Sequence, residues 1–240
     1  MFLTSNSKIM NRIFQSLNAT KELFISSLIY GEPYSGKKSL VKSIFKDFYW
    51  VDGSSLEEVQ KALKKSNRVV ITNFEKITNY NYLDFENSNV VAIYNGKTYN
   101  RSLDNKFAFI YHIPPLKERP EDIELFSNYF LKEAKEIFDI TDDIKIENRD
   151  LDISKNLKSL KKSIYKTVLY KNIDKEDLSL TLFNYFLRHY DGDNLYKEHL
   201  ELFEKALIKA GLEIYGSQLK LSEVLGINRN TLRKKINEYF

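Results

Sequence analysis

The stretch Gly216 to Lys235 constrains the fold more than any other: Gly-Ser-Gln-Leu-Lys-Leu-Ser-Glu-Val-Leu-Gly-Ile-Asn-Arg-Asn-Thr-Leu-Arg-Lys-Lys. Leu221, Val224 and Leu225 give a first helix its apolar face, and Ser222 is small where two helices must cross closely. Gly226 can adopt the left-handed conformation that ends a helix. Ile227 plugs the corner, and Asn228 is a good N-cap for the helix that follows. Leu232 and Ile236, four apart, pack that second helix back onto the first. Two short helices at a sharp angle, a helix-turn-helix, satisfy all of these demands together.

The second helix then turns Arg229, Thr231, Arg233 and Lys234 outward. Arg229 and Arg233 share a face, and arginine suits bidentate contact with guanine edges, whereas threonine suits a phosphate or a thymine methyl. The net charge is only +4, so nucleic-acid attraction has to come from local placement of charge and not from a polybasic chain. The candidate DNA-contacting set is Asn228, Arg229, Asn230, Thr231, Arg233, Lys234 and Lys235, and the partner expected is double-stranded DNA.

The remaining composition excludes several alternatives. No cysteine is present, which removes disulfide frameworks and thiolate metal sites and fits a reducing interior. His112, His189 and His199 are scattered, so no metal cofactor is expected. No apolar run approaches the ~18 residues of a membrane span. Met1–Ser7 lacks a leader pattern. A cytoplasmic, nucleoid-associated location and no membrane partner follow as expectations.

From the N-terminus the periodicity predicts a helix over Ile9–Leu17 and a buried strand over Phe24–Tyr30. A glycine loop, Gly31–Gly36, leads to a helix over Ser39–Phe48 with Leu40, Val41, Ile44 and Phe45 on one face. Leu56–Leu63 reads as a helix. Val69–Ile71, Val90–Ile93 and Phe107–Ile113 read as strands, the last closed by Pro114-Pro115. Four strands with intervening helices point to a three-layer α/β sandwich. Ile123–Ile137 and Leu157–Leu169 read as the helices of a small lid. Beyond the polar stretch Lys171–Asp177 the chain is helical over Leu178–Tyr190, Leu195–Ala210, Ser217–Leu225 and Arg229–Tyr239. Breaks are expected at Asp191-Gly192, at Gly211 and at Gly226-Ile227-Asn228.

Gly31, Glu32, Pro33, Tyr34, Ser35, Gly36, Lys37 and Lys38 fit the first seven positions of a Walker A loop and the residue after it, with a strand before and a helix after. Backbone N–H groups of such a loop cradle phosphates and the lysine reaches the terminal ones. These eight residues are the candidate nucleotide-binding set, with ATP or ADP as the cofactor. The Ser/Thr that would hold Mg²⁺ is replaced by Lys38, and Ser39 comes one place late.

The run Leu225 to Lys235 resembles the Fis family and the DNA-binding domain of sigma-54-dependent activators. Ser217 replaces a usual Asn there and Leu221 a usual Ala. The resemblance implies a four-helix domain whose first two helices pair two chains, with Leu180, Phe183, Phe186, Leu200, Phe203 and Leu207 supplying the pairing. The upstream region resembles the AAA+ module of the same activators. Leu28–Glu32 resembles their strand entering Walker A, and Pro114–Ile123 their Pro-Pro-Leu-Arg-Glu-Arg segment. Lys155–Leu160 resembles their Gly-Asn-Val-Arg-Glu-Leu helix start, with Lys158 in place of the nucleotide-sensing Arg and Asn95 in place of a polar sensor.

The departures bear on mechanism. The Walker B position falls at Val69–Glu75, where Asn73 and Phe74 replace the Asp-Glu pair, and strand alternation would turn Glu75 the same way as Asn73. Asn105 and Lys106 occupy the arginine-finger region, with only Arg101 nearby. The Gly-Ala-Phe-Thr-Gly-Ala loop that contacts sigma-54 is absent, and so is an N-terminal receiver or sensory domain.

The expected architecture is a degenerate AAA+-like α/β core over residues 1–116, a helical lid over 117–172, and an all-α Fis-type DNA-binding and dimerisation domain over 173–240. The expected function is a sequence-specific or architectural DNA-binding transcription regulator, homodimeric through the C-terminal domain. No catalytic residue and no ATP hydrolysis are expected. The alternative is an ATP-binding AAA+ protein that remodels or inhibits a partner activator at DNA, its partner being another AAA+ protein or an RNA polymerase component.

Overall fold

The computed structural model describes residues 5–240. Of Met1–Ser7, read above as lacking a leader pattern, residues 1–4 lie outside the described residues. The chain divides into two compact units, Met1–Ile173 and Asp174–Phe240.

The first unit opens with α1 (Lys8–Ala19), β1 (Ser27–Gly31), α2 (Lys37–Ile44), β2 (Tyr49–Asp52) and α3 (Leu56–Lys65). It continues through β3 (Arg68–Thr72), β4 (Asn89–Asn95), β5 (Phe109–His112), α4 (Pro120–Ile137) and α5 (Asn156–Lys171). The strands form one parallel sheet in the order β2-β3-β4-β1-β5. Alternation along each strand sends Ile29, Val70, Val91 and Ile93 to one face, against Leu40, Val41 and Ile44 of α2 and Met10 and Leu17 of α1. Leu28, Val69, Ile71, Val90 and Ala92 go to the other, against Val59 and Ala62 of α3. The result is the three-layer α/β sandwich. A separate apolar cluster joins Leu116 with Phe130 and Ala134 of α4 and Leu160, Ile164 and Val168 of α5.

Several local readings needed correction. The sheet has five strands and not four. Helix α2 ends at Ile44, but Phe45 and Phe48 stay buried with ring centroids 4.8 Å apart. They extend the apolar pattern beyond the helix and so hide the edge strand β2. Strand β1 begins at Ser27, and Phe24, counted into it from sequence, is 57% exposed. The expected break at Gly211 does not occur.

The second unit comprises α6 (Lys175–Arg188), α7 (Leu195–Tyr215), α8 (Gln218–Leu225) and α9 (Arg229–Tyr239). Helix α7 runs straight through Gly211, which is buried because Leu221 of α8 packs directly against it. The core is small: Ile208, Leu221 and Leu232 are buried, with Leu212, Leu225, Ile227 and Ile236 around them. Val224, read as part of the apolar face of α8, is exposed instead. Helix α6 buries no residue in this unit.

Candidate functional site

The glycine loop leaves the C-terminal end of β1, which lies between β4 and β5. The chain crosses in opposite directions on either side of such a strand, and the crevice there is where open α/β sheets hold ligands. Gly31 has φ +154°, and a Cβ on it would sit 2.4 Å from the Ile113 carbonyl oxygen, so only glycine allows the chain to leave the sheet this way. Gly36, at φ +103°, starts α2. The first i→i−4 bond of α2 runs from the Leu40 N–H to the Gly36 carbonyl, which leaves the N–H groups of Lys37, Lys38 and Ser39 ahead of it facing the loop.

Lys37 is buried, and its Nζ donates to the carbonyls of Gly31 at 2.8 Å and Glu32 at 2.6 Å. The two bonds hold the ammonium inside the loop's curve. Burial lowers its pKa to about 8, against the opposing charges of Glu75 and Glu32. The lysine is therefore mostly protonated at neutral pH, and its third donor reaches Ser35 Oγ at 3.5 Å.

The loop's outward carbonyls are fixed from the lid side. Arg119, buried and ion-paired to Asp122 at 3.0 Å, donates to Ser35 O at 2.8 Å. Asp122 also accepts from the N–H groups of Asn6 and Ser7, tying the segment before α1 to the same point. Asn156 donates to Glu32 Oε2 and Pro33 O, and the Leu157 N–H donates to Tyr34 O. Tyr34 takes φ +62°, a left-handed conformation unusual for a side chain of this size. Its hydroxyl accepts from Lys158 Nζ at 3.1 Å. Beside the loop a cavity of about 1050 Å³ is lined by Met10, Phe14, Phe126, Tyr129, Phe130 and Leu157, among others.

At the ends of β3 and β4 the structure joins Asn73, Glu75 and Asn95. Asn95 donates from its backbone N–H and its Nδ2 to the two Glu75 oxygens at 2.9 and 3.0 Å, and from Nδ2 to Asn73 Oδ1 at 3.2 Å. Strand alternation is not what brings Glu75 there. The strand ends at Thr72, Asn73 is left-handed at φ +52°, and a 3₁₀ turn over Phe74–Lys76 swings the carboxylate back. Phe74 is buried in the core and Asn73 Nδ2 is bonded to Asp52. Sequence reasoning missed Asp52 at the end of the unrecognised β2. Among the described residues no group of three or more His, Asp or Glu is arranged to hold a metal ion.

In the second unit Gly226 adopts φ +65°, and the N–H groups of Gly226 and Ile227 return to the carbonyls of Glu223 and Ser222. This closes α8 with a left-handed cap. Asn228 is extended, and its side chain accepts from the Asn230 N–H at 2.8 Å. Leu232 is fully buried and sets the rotation of α9. Arg229, Asn230, Thr231, Arg233 and Lys234 are exposed, as is the cap Asn228. Lys235 turns the other way. Its Nζ lies 2.6 Å from Glu204 of α7, and the Tyr239 hydroxyl donates to the same carboxylate at 2.5 Å. These two bonds hold the Glu204 carboxyl below the usual range, and the bond to Glu204, with burial, pushes Tyr239 up to about 12.

Residues 199–239 match the family described as bacterial regulatory protein, Fis family. The DNA-binding transcriptional regulator NtrC of Azospirillum brasilense is 44% identical over 59 residues, covering 23% of this chain and 12% of that protein. The chain thus matches about an eighth of that relative's length. The structure of NtrX from Brucella abortus in complex with ATP superposes with TM-score 0.55 at 16% identity, over 99% of this chain and 69% of that one. The same protein in complex with ADP gives 0.54 at 15% identity, over 99% and 68%. These likenesses show the fold: a three-layer α/β sandwich followed by a helical C-terminal unit, as in NtrX. Within that C-terminal unit residues 199–239 are similar to the Fis family, and α8 and α9 form a helix-turn-helix.

Proposed function

We propose that the chain is a homodimeric transcription regulator that reads duplex DNA through α9 and holds ATP or ADP without turning it over. The carrying observation is the orientation of α9. The capped Gly226-Ile227-Asn228 corner and the buried Leu232 leave Arg229, Asn230, Thr231, Arg233 and Lys234 on the outer face, behind a helix N-terminus that itself favours phosphate. Arg229 and Arg233 reach base edges, and Asn228, Thr231 and Lys234 fix phosphates. In this reading residues 1–116 are the core, 117–172 the lid, and 173–240 the DNA-binding and pairing domain, placing the protein on the nucleoid.

The test is fluorescence anisotropy of labelled duplexes with wild type and variants. Arg229→Ala or Arg233→Ala should cost about 1–3 kcal/mol per half-site and relax sequence preference. Equal binding by the double variant sinks the recognition-helix assignment.

Nucleotide binding rests on the preformed loop, with Lys37 seated and three helix N–H groups facing inward. Gly31–Lys38 then form the nucleotide cradle. The absent Walker B acids argue against hydrolysis, and the missing sigma-54-contacting loop argues against opening a sigma-54 promoter alone. In vitro transcription from such a promoter with ATP and no other activator should give no product. A second reading, an ATP-driven protein acting on a partner activator, draws on Glu75, whose carboxylate lies against Asn95 near the loop. Phosphate release, with and without DNA, separates the two.

A further inference from the structure

Between Asp152 and Asp174 the chain has no acidic residue but contains Lys155, Lys158, Lys161, Lys162, Lys166 and Lys171. Helix α5 and its cap carry all six. The structure sorts them by direction. Lys161, toward α4, is ion-paired with Glu133 at 2.8 Å, and Lys171 lies 3.4 Å from Asp150 and donates to the Lys145 carbonyl. Lys155, Lys158, Lys162 and Lys166 are exposed, and at spacings of three and four residues they form one stripe along the helix. Among the described residues no carboxylate lies within ion-pairing distance of these four; Asp152 is lowered first by its hydrogen bonds from Ser154 and only then by the charges of Lys155 and Lys162. Other surface lysines behave differently: Lys61, Lys132 and Lys205 each pair with a glutamate four residues away. Tyr170 extends the stripe by a turn, with Lys166 Nζ 5.2 Å from its ring centre.

We infer that this outward face of α5 is a second contact for duplex DNA, gripping the phosphate backbone without reading sequence. The inference rests on the reading of α9 as the DNA reader. Charge complementarity carries it: neutralised lysines face the protein and unneutralised ones face solvent, in a row of about three helical turns that suits a polyanion. The second unit does not supply this attraction by net charge, since Asp174–Phe240 holds 10 Lys and Arg against 11 Asp and Glu. Helix α6 begins four residues after α5 ends, so this face is tethered to the reader.

The experiment compares full-length wild type with Lys155→Gln/Lys162→Gln/Lys166→Gln, leaving Lys158 at the phosphate loop untouched. A control, Lys61→Gln/Lys64→Gln/Lys65→Gln on α3, removes the same charge elsewhere. Binding to a random-sequence duplex is followed across a salt series. The α5 variant should flatten the log-affinity slope by about two to three units, because each lost phosphate contact is worth ~0.9. The α3 control should stay near wild type. An unchanged slope in the α5 variant, or equal flattening in the control, overturns the inference while the α9 reading stands. Should the wild type bind no duplex at all, both readings fall. Unchanged DNA binding joined to lost capture of an acidic protein would assign the face to that protein and refute the DNA contact.

Discussion

Gly211 and Leu221 touch where α7 crosses α8, so closely that a Cβ at 211 would lie 2.3 Å from Leu221 Cδ1. Alanine would normally gain ~1 kcal/mol over glycine inside a helix. Here overpacking, typically ~1–3 kcal/mol, opposes that gain, because Leu221 is wedged against Ile208 and Leu232. Gly211→Ala should therefore lower the stability of the C-terminal unit despite its better helix propensity. Leu221→Ala alone should cost ~2–5 kcal/mol through its cavity. The double variant should be less destabilised than the sum, measured by urea melts as a double-mutant cycle. Strict additivity would show that the contact does not limit packing.

Lys37 gives nucleotide affinity a defined pH profile. Burial lowers its pKa from 10.5 to about 8, so the protonated form opposes folding below that pH, and the free protein gains stability as pH rises from about 8 toward 10.5. Phosphate binding has the opposite preference, since it needs the ammonium. Affinity for fluorescent ADP should be nearly level to about pH 7.5 and then fall by up to about tenfold per pH unit above the lysine's pKa. A profile flat to high pH, or binding unaltered in Lys37→Ala, would remove Lys37 from the site.

Turnover should be negligible. Asn73 is neutral and Phe74 is buried, so neither a charged metal ligand nor a water-polarising acid stands at those positions. Phosphate release should stay at background with ATP, Mg²⁺ and DNA. A rate near the ~1–10³ per second of ordinary enzymes, abolished by both Lys37→Ala and Glu75→Gln, would make Glu75 the missing acid.

Two adjacent lysines should separate cleanly. Lys234 is exposed, so Lys234→Ala should weaken all duplexes alike and flatten the salt slope by about one unit, with stability unchanged. Lys235 holds Glu204, so Lys235→Ala should lower stability by about 1 kcal/mol and affect DNA binding much less. Thermal melts and anisotropy on both variants decide it. Reversed effects would mean that α9 is rotated from the position described.

Pairing of two chains should depend on α6 and α7. Leu180, Phe183, Leu187 and Phe203 are each more than half exposed, while the unit's own core is small. Such a patch calls for a partner surface. Phe183→Glu with Phe203→Glu should turn a micromolar dimer into a helical monomer, read by sedimentation and circular dichroism. A wild-type monomer at that concentration would end the proposal.

What was legible in sequence was local. The Gly226-Ile227-Asn228 corner, the cap on α9 and the glycine loop after β1 are each set by backbone conformations that a few neighbouring residues dictate, and their chemistry shows in those residues. Tertiary structure decided what depends on distant partners. Gly211, punctuation by sequence rules, sits mid-helix because Leu221 fills the space a side chain would take. The strand β2 was hidden because Phe45 and Phe48 are buried by the sheet and not by helical periodicity. Glu75 reaches Asn95 only through a left-handed Asn73, and Lys235 is drawn from the outer face of α9 by Glu204, thirty-one positions earlier. Each of these outcomes is a contact between residues far apart in the chain, where packing and charge pairing outweigh local preference.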